Sequence, residues 1–430
     1  MAGIAPFSGI RYSPAKIDSL SDVTAPPYDV IDEVGRKTLA ARDPHNVVRL
    51  ILPEDAGDVD RYTHAARLLR TWIDEGVLVR DAKPGIYVVR QEWADGSVAR
   101  RRTGFVAAVT LEPFGEGKIY PHENTLSAPK EDRLRLLKAT RANLSQVFGL
   151  FRDDRHDVDA WLAEATVRPP DAESTDDAGV VAKLWCEFDA TRIGRLIDAM
   201  RDRELFIADG HHRYETALNY QRFCAETGVA EPHQDHNAIM MLCVAMTNEG
   251  LVTYPTHRLL SGERVDPEAL IRRLAADFDV RPIATFSHRA GELDAILKSD
   301  ATPNLMVLYV GPGRPPLRIR PKENAQLFPN MPGRSAAWRA LDVSILQYGI
   351  LEKQLGLTLD RITSGAGIGY VHESDEAVRR VDNGEFAAAF VLRPTPVSAV
   401  AEVASHLEKM PPKSTYFYPK AFTGLVLRQL

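Results

Sequence analysis

The sequence predicts a mixed α/β fold, and three observations carry that expectation. Between residues 180 and 246 the strand-like runs "VVAKLWCEF", "LFIAD" and "AIMMLCVAM" alternate with helical stretches, as an α/β layer would. Asp95-Gly96 separates two further strand-like runs, a strong hairpin signal. In "VDRYTHAARLLRTWIDEG" (59–76) Ala65, Leu68, Leu69, Trp72 and Ile73 recur at helical spacing, with Gly76 as the stop.

Taken in order, the first fifty residues read as a loop-rich entry in which the two prolines of "VTAPPYDVI" (23–31) impose an extended backbone. The helix over 59–76 and the hairpin around Asp95-Gly96 follow, then a helix across "APKEDRLRLLKATRANLSQVF" (128–148). "TVRPPDAESTDDAG" (166–179) is rich in proline and acid and reads as an exposed loop. A helix is expected near 190–201 and another from 211. Beyond "SGERVDPEAL" (261–270) come a helix, the strands "NLMVLYV" (304–310), "PLRIRP" and "EFAAAFVLRP", and a long amphipathic helix across "ALDVSILQYGILEKQLG" (340–356). At 430 residues the chain exceeds what one hydrophobic core comfortably serves. Two regions are expected, an α/β region over 1–260 and an α+β region over 261–430, with a gradual boundary.

Hydrophobic and charged fractions of 44% and 26% are those of an ordinary globular chain. No apolar segment approaches the ~18 residues of a membrane span, and "MAGIAPFSGIRYSP" has no leader-like pattern, so a cytoplasmic protein with no membrane partner is expected. Cys186, Cys224 and Cys243 share no metal spacing and sit among apolar residues, as reduced core side chains would. A net charge of -6 with dispersed basic residues gives no footprint for nucleic acid, and "VARRRTG" (98–104) reads as a solvated strand face. No HExxH, paired CxxC, Walker A or GxSxG pattern is present, and the glycines of "SGAGIGY" (364–370) are spaced wrongly for a dinucleotide turn.

Three clusters carry chemistry. In "ELFIADGHHRYETALNY" (204–220) an apolar strand ends in Asp209, Gly210, His211, His212 and Arg213 and then turns helical. Gly210 permits a tight turn, the amides of residues 211–213 would head a helix whose dipole favours an anion, Arg213 could clamp it, and the histidines could move protons. The second cluster, "HENTLSAPKEDRLRLLKATRAN", offers His122, Glu123, Lys130 and Arg133, the cations near a helix start that a bound anion would relieve. The third, "MPPKSTYFYPKAFTGL", sets Lys413, Ser414, Thr415, Tyr416 and Lys420 within eight residues, cations, hydroxyls and an aromatic ring that suit a phosphate or a nucleobase.

Over motifs spread from residue 26 to residue 424, "PPYDVI", "HENT…PKEDRL…LKATRAN", "ADGHHRYETAL", "PTHRL" and "MPPKSTYFYPK…TGL", the chain resembles the bacterial family named domain of unknown function 1015. Its "DGHHR" segment is in turn similar to the "DGHxR" motif of the ParB/sulfiredoxin-like superfamily, some of whose members are free-serine kinases. That resemblance implies a ParB/sulfiredoxin-like α/β core enlarged by insertions, a nucleotide at the turn, and a carboxylate base, for which Asp29 of "PPYDVI" is the nearest analogue although it lies far upstream.

The reading that combines residues and resemblance is phosphoryl transfer to, or phosphate hydrolysis from, a small metabolite, serine or phosphoserine being the most specific choice, with Mg2+ and ADP or ATP. Asp29, Asp209, His211 and His212 are its catalytic candidates. A nucleotide-binding regulator without turnover is the alternative, and a DNA-associated protein of ParB type ranks last. One shared site would require Asp29, Arg133, Arg213 and Lys413 to converge.

Overall fold

The computed structural model describes residues 3–125, 127–229, 232–261, 266–363 and 367–430. It is a mixed α/β protein that divides into two compact units. The first comprises Met1–Pro121, Thr125–Val252 and Pro419–Leu430, and the second His122–Asn124 and Thr253–Tyr418.

The first unit is built on a nine-stranded mixed sheet. Its strands are β1 (Ile4–Ala5), β2 (Ile86–Asp95), β3 (Val98–Thr110), β4 (Ile119–Tyr120), β5 (Val147–Phe151), β6 (Ala172–Thr175), β7 (Val181–Glu187), β8 (Leu205–Asp209) and β9 (Ala238–Ala245). The order is β4-β8-β5-β9-β3-β2-β7-β6, with β1 paired to β3. The Asp95-Gly96 signal becomes the β2–β3 hairpin, Gly96 taking φ +60°. β8 runs parallel to β4, and β9 parallel to β5, whereas the remaining pairings are antiparallel.

The helices of this unit used below are α1 (Arg61–Asp74), α2 (Ser127–Thr140), α3 (Asp157–Ala165), α4 (Ala190–Met200) and α5 (His211–Thr227). Asp60 caps α1 by accepting from the amides of Tyr62 and Thr63. One core joins Val88, Phe105, Val147, Ile207 and Met241 of the sheet to Trp161 of α3, Leu196 of α4 and Tyr214 and Leu218 of α5. A second gathers Leu69 and Trp72 of α1 with Val23, Val47, Leu136 and Leu427. Burying such aliphatic and aromatic side chains stabilises by about 1.5–3 kcal/mol each.

Four local expectations change. The helix expected across 128–148 ends at Thr140, and the chain beyond it forms the strands Ala142–Asn143 and Val147–Phe151. Residues 172–175, expected in an exposed loop, form edge strand β6 on β7, because the polar face of an edge strand looks like a loop in sequence. "VARRRTG" is solvated on one face only: Arg101 is exposed while Arg102 is 1% exposed, since successive strand residues face opposite ways. The single long helix over 340–356 is replaced by short turns, Ala336–Arg339 and Asp342–Ser344, and a π-helical stretch, Ile345–Glu352. All three cysteines are buried and form no disulfide.

The second unit holds a six-stranded antiparallel sheet, β10 (His257–Leu260), β11 (Phe278–Pro282), β12 (Met306–Tyr309), β13 (Leu317–Pro321), β14 (Ile368–Val371) and β15 (Ala388–Val391). The order is β11-β13-β12-β15-β10-β14. Residues 364–366 of "SGAGIGY" lie outside the described residues, as do 262–265 of the expected boundary. Among the described residues no helix is long and apolar enough to cross a membrane.

Candidate functional site

The "DGHHR" turn sits where β8 passes into α5. A register shift between Ile207 and Asp209 breaks the pairing of β8 with β5 immediately before the turn, and such irregularities re-aim the side chains they carry. Gly210 then takes φ +92°, where a side chain is strained, and a Cβ there would come within 3.0 Å of the Arg213 guanidinium. The first helical bond runs from the Tyr214 amide to the Gly210 carbonyl, so the helix cap has no side chain to accept from the first-turn amides. Tyr214 anchors the start of α5: its hydroxyl accepts from the Glu112 amide and donates to the Glu112 carbonyl, both at 2.9 Å.

Asp209 is the hub. Its Oδ2 accepts from Arg213 at 2.6 Å and its Oδ1 from Lys420 Nζ at 2.6 Å. Burial alone would raise its pKa, but Lys420 and Arg213 outweigh it and hold the carboxyl below its usual range. Arg213 also donates to the Gln146 carbonyl, and its Nε is buried with no hydrogen-bond partner among the described residues. With Thr216, Tyr28 and Arg133 it lines a cavity of about 60 Å3. Lys420 in turn is set by the sheet: Gln91 donates to the Lys420 carbonyl at 2.8 Å, and Arg102, reaching Gln91 Oε1 at 2.5 Å, holds the Pro419 carbonyl. Arg102 packs over the Phe148 ring, and burial lowers its pKa to about 9 against the opposing pull of Asp209.

A titratable imidazole follows in the same helical turn. His212 is half-buried, and burial lowers its pKa, with Asp29 and Glu215 opposing and Lys130 and Arg213 adding to the drop. Asp29 is exposed in the short 3-10 turn Tyr28–Val30. Burial raises the pKa of Tyr28, and its phenol lies within electrostatic reach of Arg213, Asp29, Arg133 and Asp209. The Arg133 guanidinium lies 4.3 Å from the Tyr28 ring centroid and donates to Asp132 and to the Ile51 carbonyl. His211 is buried. Lys130 at the head of α2 donates to Glu215 Oε2 at 2.7 Å, and Thr125 donates to the same oxygen at 2.6 Å.

A family model described as a protein of unknown function (DUF1015) matches residues 4–344. The chain belongs to the DUF1015 family. No curated protein sequence matches it. Among solved structures, a free serine kinase in complex with AMP is similar at 12% identity and TM-score 0.34, covering 70% of this chain and 83% of that one. A C-terminally truncated SbnI from Staphylococcus aureus is similar at 9% identity and TM-score 0.37, covering 74% and 85%. A conserved hypothetical protein from Pyrococcus furiosus is similar at 14% and 0.33, covering 70% and 87%.

In this DUF1015 chain the sequence clusters regroup. Asp29, Lys130, Arg133, Asp209, Gly210, His211, His212, Arg213 and Lys420 all belong to the first unit, whereas His122, Glu123, Lys413, Ser414 and Thr415 belong to the second. There the buried His122 places Nε2 3.0 Å from Thr415 Oγ1, and the Met410 amide donates to the His122 carbonyl at 2.7 Å. Lys413 is exposed with φ +57°, its amide 3.4 Å from Glu123 Oε1, and its carbonyl accepts from the buried Arg258 at 3.0 Å. Ser414 Oγ donates to the Pro411 carbonyl at 2.5 Å. Burial lowers the pKa of neighbouring His257 to about 3.

Glu215, Gln146 and Arg102 are the participants that motif reading passed over. Only Glu215 carried a signal, since it sits one helical turn beyond His212. Among the described residues no group of three or more His, Cys, Asp or Glu side chains could hold a metal ion, and both oxygens of Asp209 already accept from cations. No step below passes through a metal ion.

Proposed function

We propose that this protein is an enzyme of phosphoryl chemistry, transferring a phosphoryl group between a nucleotide and a small hydroxylated metabolite or hydrolysing the phosphorylated product. The carrying observation is the juxtaposition at the head of α5: a glycine turn with a positive helix end, arginine and lysine on one partly buried aspartate, and an exposed carboxylate whose charge is felt by a half-buried histidine. Phosphoryl transfer needs fixed positive charge around the moving group and a base for the attacking hydroxyl. The amides of residues 211–213 and the Lys420 ammonium suit the first requirement. Asp29 suits the second, and His212, whose burial favours the neutral imidazole near pH 7, can pass the proton on. Asp209 stays ionised between its two cations and acts as a positioning group, not as an acid.

Serine and phosphoserine are the metabolites first to test, on the strength of the "DGHHR" resemblance. Pure protein incubated with ADP or ATP, Mg2+ and L-serine should form phosphoserine, or with phosphoserine alone should release phosphate. Absence of both rejects the serine version. A second reading, nucleotide binding without turnover, draws on the ion pairing of Asp209 with both Arg213 and Lys420, which leaves a stable receptor of net positive charge needing no chemistry. Tight calorimetric binding of ADP with no product over hours would identify it.

A further inference from the structure

Beside the charged turn, within the same unit, lies a second chamber of about 200 Å3 that no step above uses. Ala25, Leu39, Ala178 and Phe422 give it apolar walls, Pro26 of "PPYDVI" is among its lining, and Lys420 forms the boundary nearest the turn. Because the Lys420 ammonium lies 2.6 Å from Asp209 Oδ1, one side chain connects the chamber to the hub.

The charged groups along the chamber are already occupied. Arg42 donates to Asp177 at 2.6 Å, and Asp177 is largely exposed, which puts that pair on the solvent side. Asp176 accepts from the amides of Ala178 and Val180, both at 2.9 Å. Hydroxyls remain: Ser21 Oγ, which accepts from the Thr175 amide at 2.8 Å, and Thr24 Oγ1, 2.7 Å from Ser174 Oγ. An apolar chamber with a few hydroxyls receives the uncharged body of a ligand, not its anionic end.

We infer that this chamber seats the base of a nucleotide whose phosphates lie at the "DGHHR" turn. The inference rests on the phosphoryl reading above and adds the uncharged half of the ligand. A flat heterocycle matches the apolar walls and the phenyl ring of Phe422, and its ring nitrogens can pair with Ser21. The volume is ample for a fused ring and excessive for a hydroxymethyl side chain. Lys420 then serves both ends, its hydrocarbon stem along the base and its ammonium at the phosphates.

The test is calorimetric titration of the full chain with ADP and with inorganic pyrophosphate, in the parent and in Ala178→Trp and Thr175→Trp, both at exposed positions that border the chamber. The parent should bind ADP roughly tenfold or more tighter than pyrophosphate, the scale of one stacked base. Either tryptophan should abolish that preference while leaving pyrophosphate affinity unchanged. Retention of the preference in both variants places the base elsewhere and overturns the inference. An equal loss of ADP and pyrophosphate affinity also overturns it, since the chamber would then hold phosphate itself. A parent that binds pyrophosphate and ADP equally removes the base site but keeps the phosphoryl reading, whereas a parent that binds neither removes both.

Discussion

Lys420 Nζ lies 2.6 Å from Asp209 Oδ1 across 211 positions of sequence, and with Arg213 on the other oxygen it fixes the charge of the turn. Lys420→Met should leave Asp209 with one cation in a partly buried setting. We expect a loss of about 1–3 kcal/mol in urea unfolding, the range for a hydrogen bond to a charged group. Asp209 has a depressed folded pKa, so its contribution is present above the unfolded value near 3.8 and is lost as pH falls through the folded one. In Lys420→Met that difference shrinks, and the loss of stability below pH 4 should be shallower than in the parent. An unchanged acid limb would show that Lys420 does not hold the proton off Asp209.

Gly210→Ala should destabilise by about 1–3 kcal/mol, the usual range for a side chain forced into a disfavoured backbone region. The new Cβ would also press on the Arg213 guanidinium from 3.0 Å. Thermal melting of the variant checks the first effect, and loss of ADP affinity the second.

Arg213→Lys keeps the charge but gives up the planar fork that serves Asp209 and the Gln146 carbonyl together. The variant should unfold about 1–3 kcal/mol more easily by denaturant titration, because one of the two part-buried acceptors goes unmet. Equal stability of parent and variant would reduce Arg213 to a simple point charge.

His212 should titrate below 6.5 in an NMR pH series, and Asp29→Asn should lower its midpoint further, because Asp29 opposes the effect of burial. With a depressed folded pKa, the neutral imidazole contributes stability above pH 6.5 that is lost as pH falls below it. If Asp29 is the base, the same variant should lose about 100-fold or more in phosphoserine formation. A midpoint that does not move on Asp29→Asn would separate the two groups.

Much of the architecture was legible because its signals are local. The hairpin at Asp95-Gly96, α1 and the strand-to-helix passage at Gly210 each depend on neighbours within a few residues. The identity of the Asp209 partners was not legible, since "YPK" joins Asp209 only through chain closure. Nor was the separation of Lys420 from Lys413, Ser414 and Thr415, which adjacency in sequence had grouped into one cluster. Arg102 hid among Arg100 and Arg101 because a period of two marks alternation but not which face is buried.

The return of Pro419–Leu430 to the first unit imposes a timetable on biosynthesis. Thr423 bridges to Ala25, Leu427 to Ile10, and Arg428 pairs with Asn143, so this last segment clasps pieces made long before it. A nascent chain that has emitted "DGHHR" must make all of Thr253–Tyr418 before Lys420 can reach Asp209. Until the ribosome delivers that residue the turn carries a partly buried carboxylate matched by one cation. The Asp209 ion-pair cluster is therefore complete only after Pro419–Leu430 has been made and has joined the first unit.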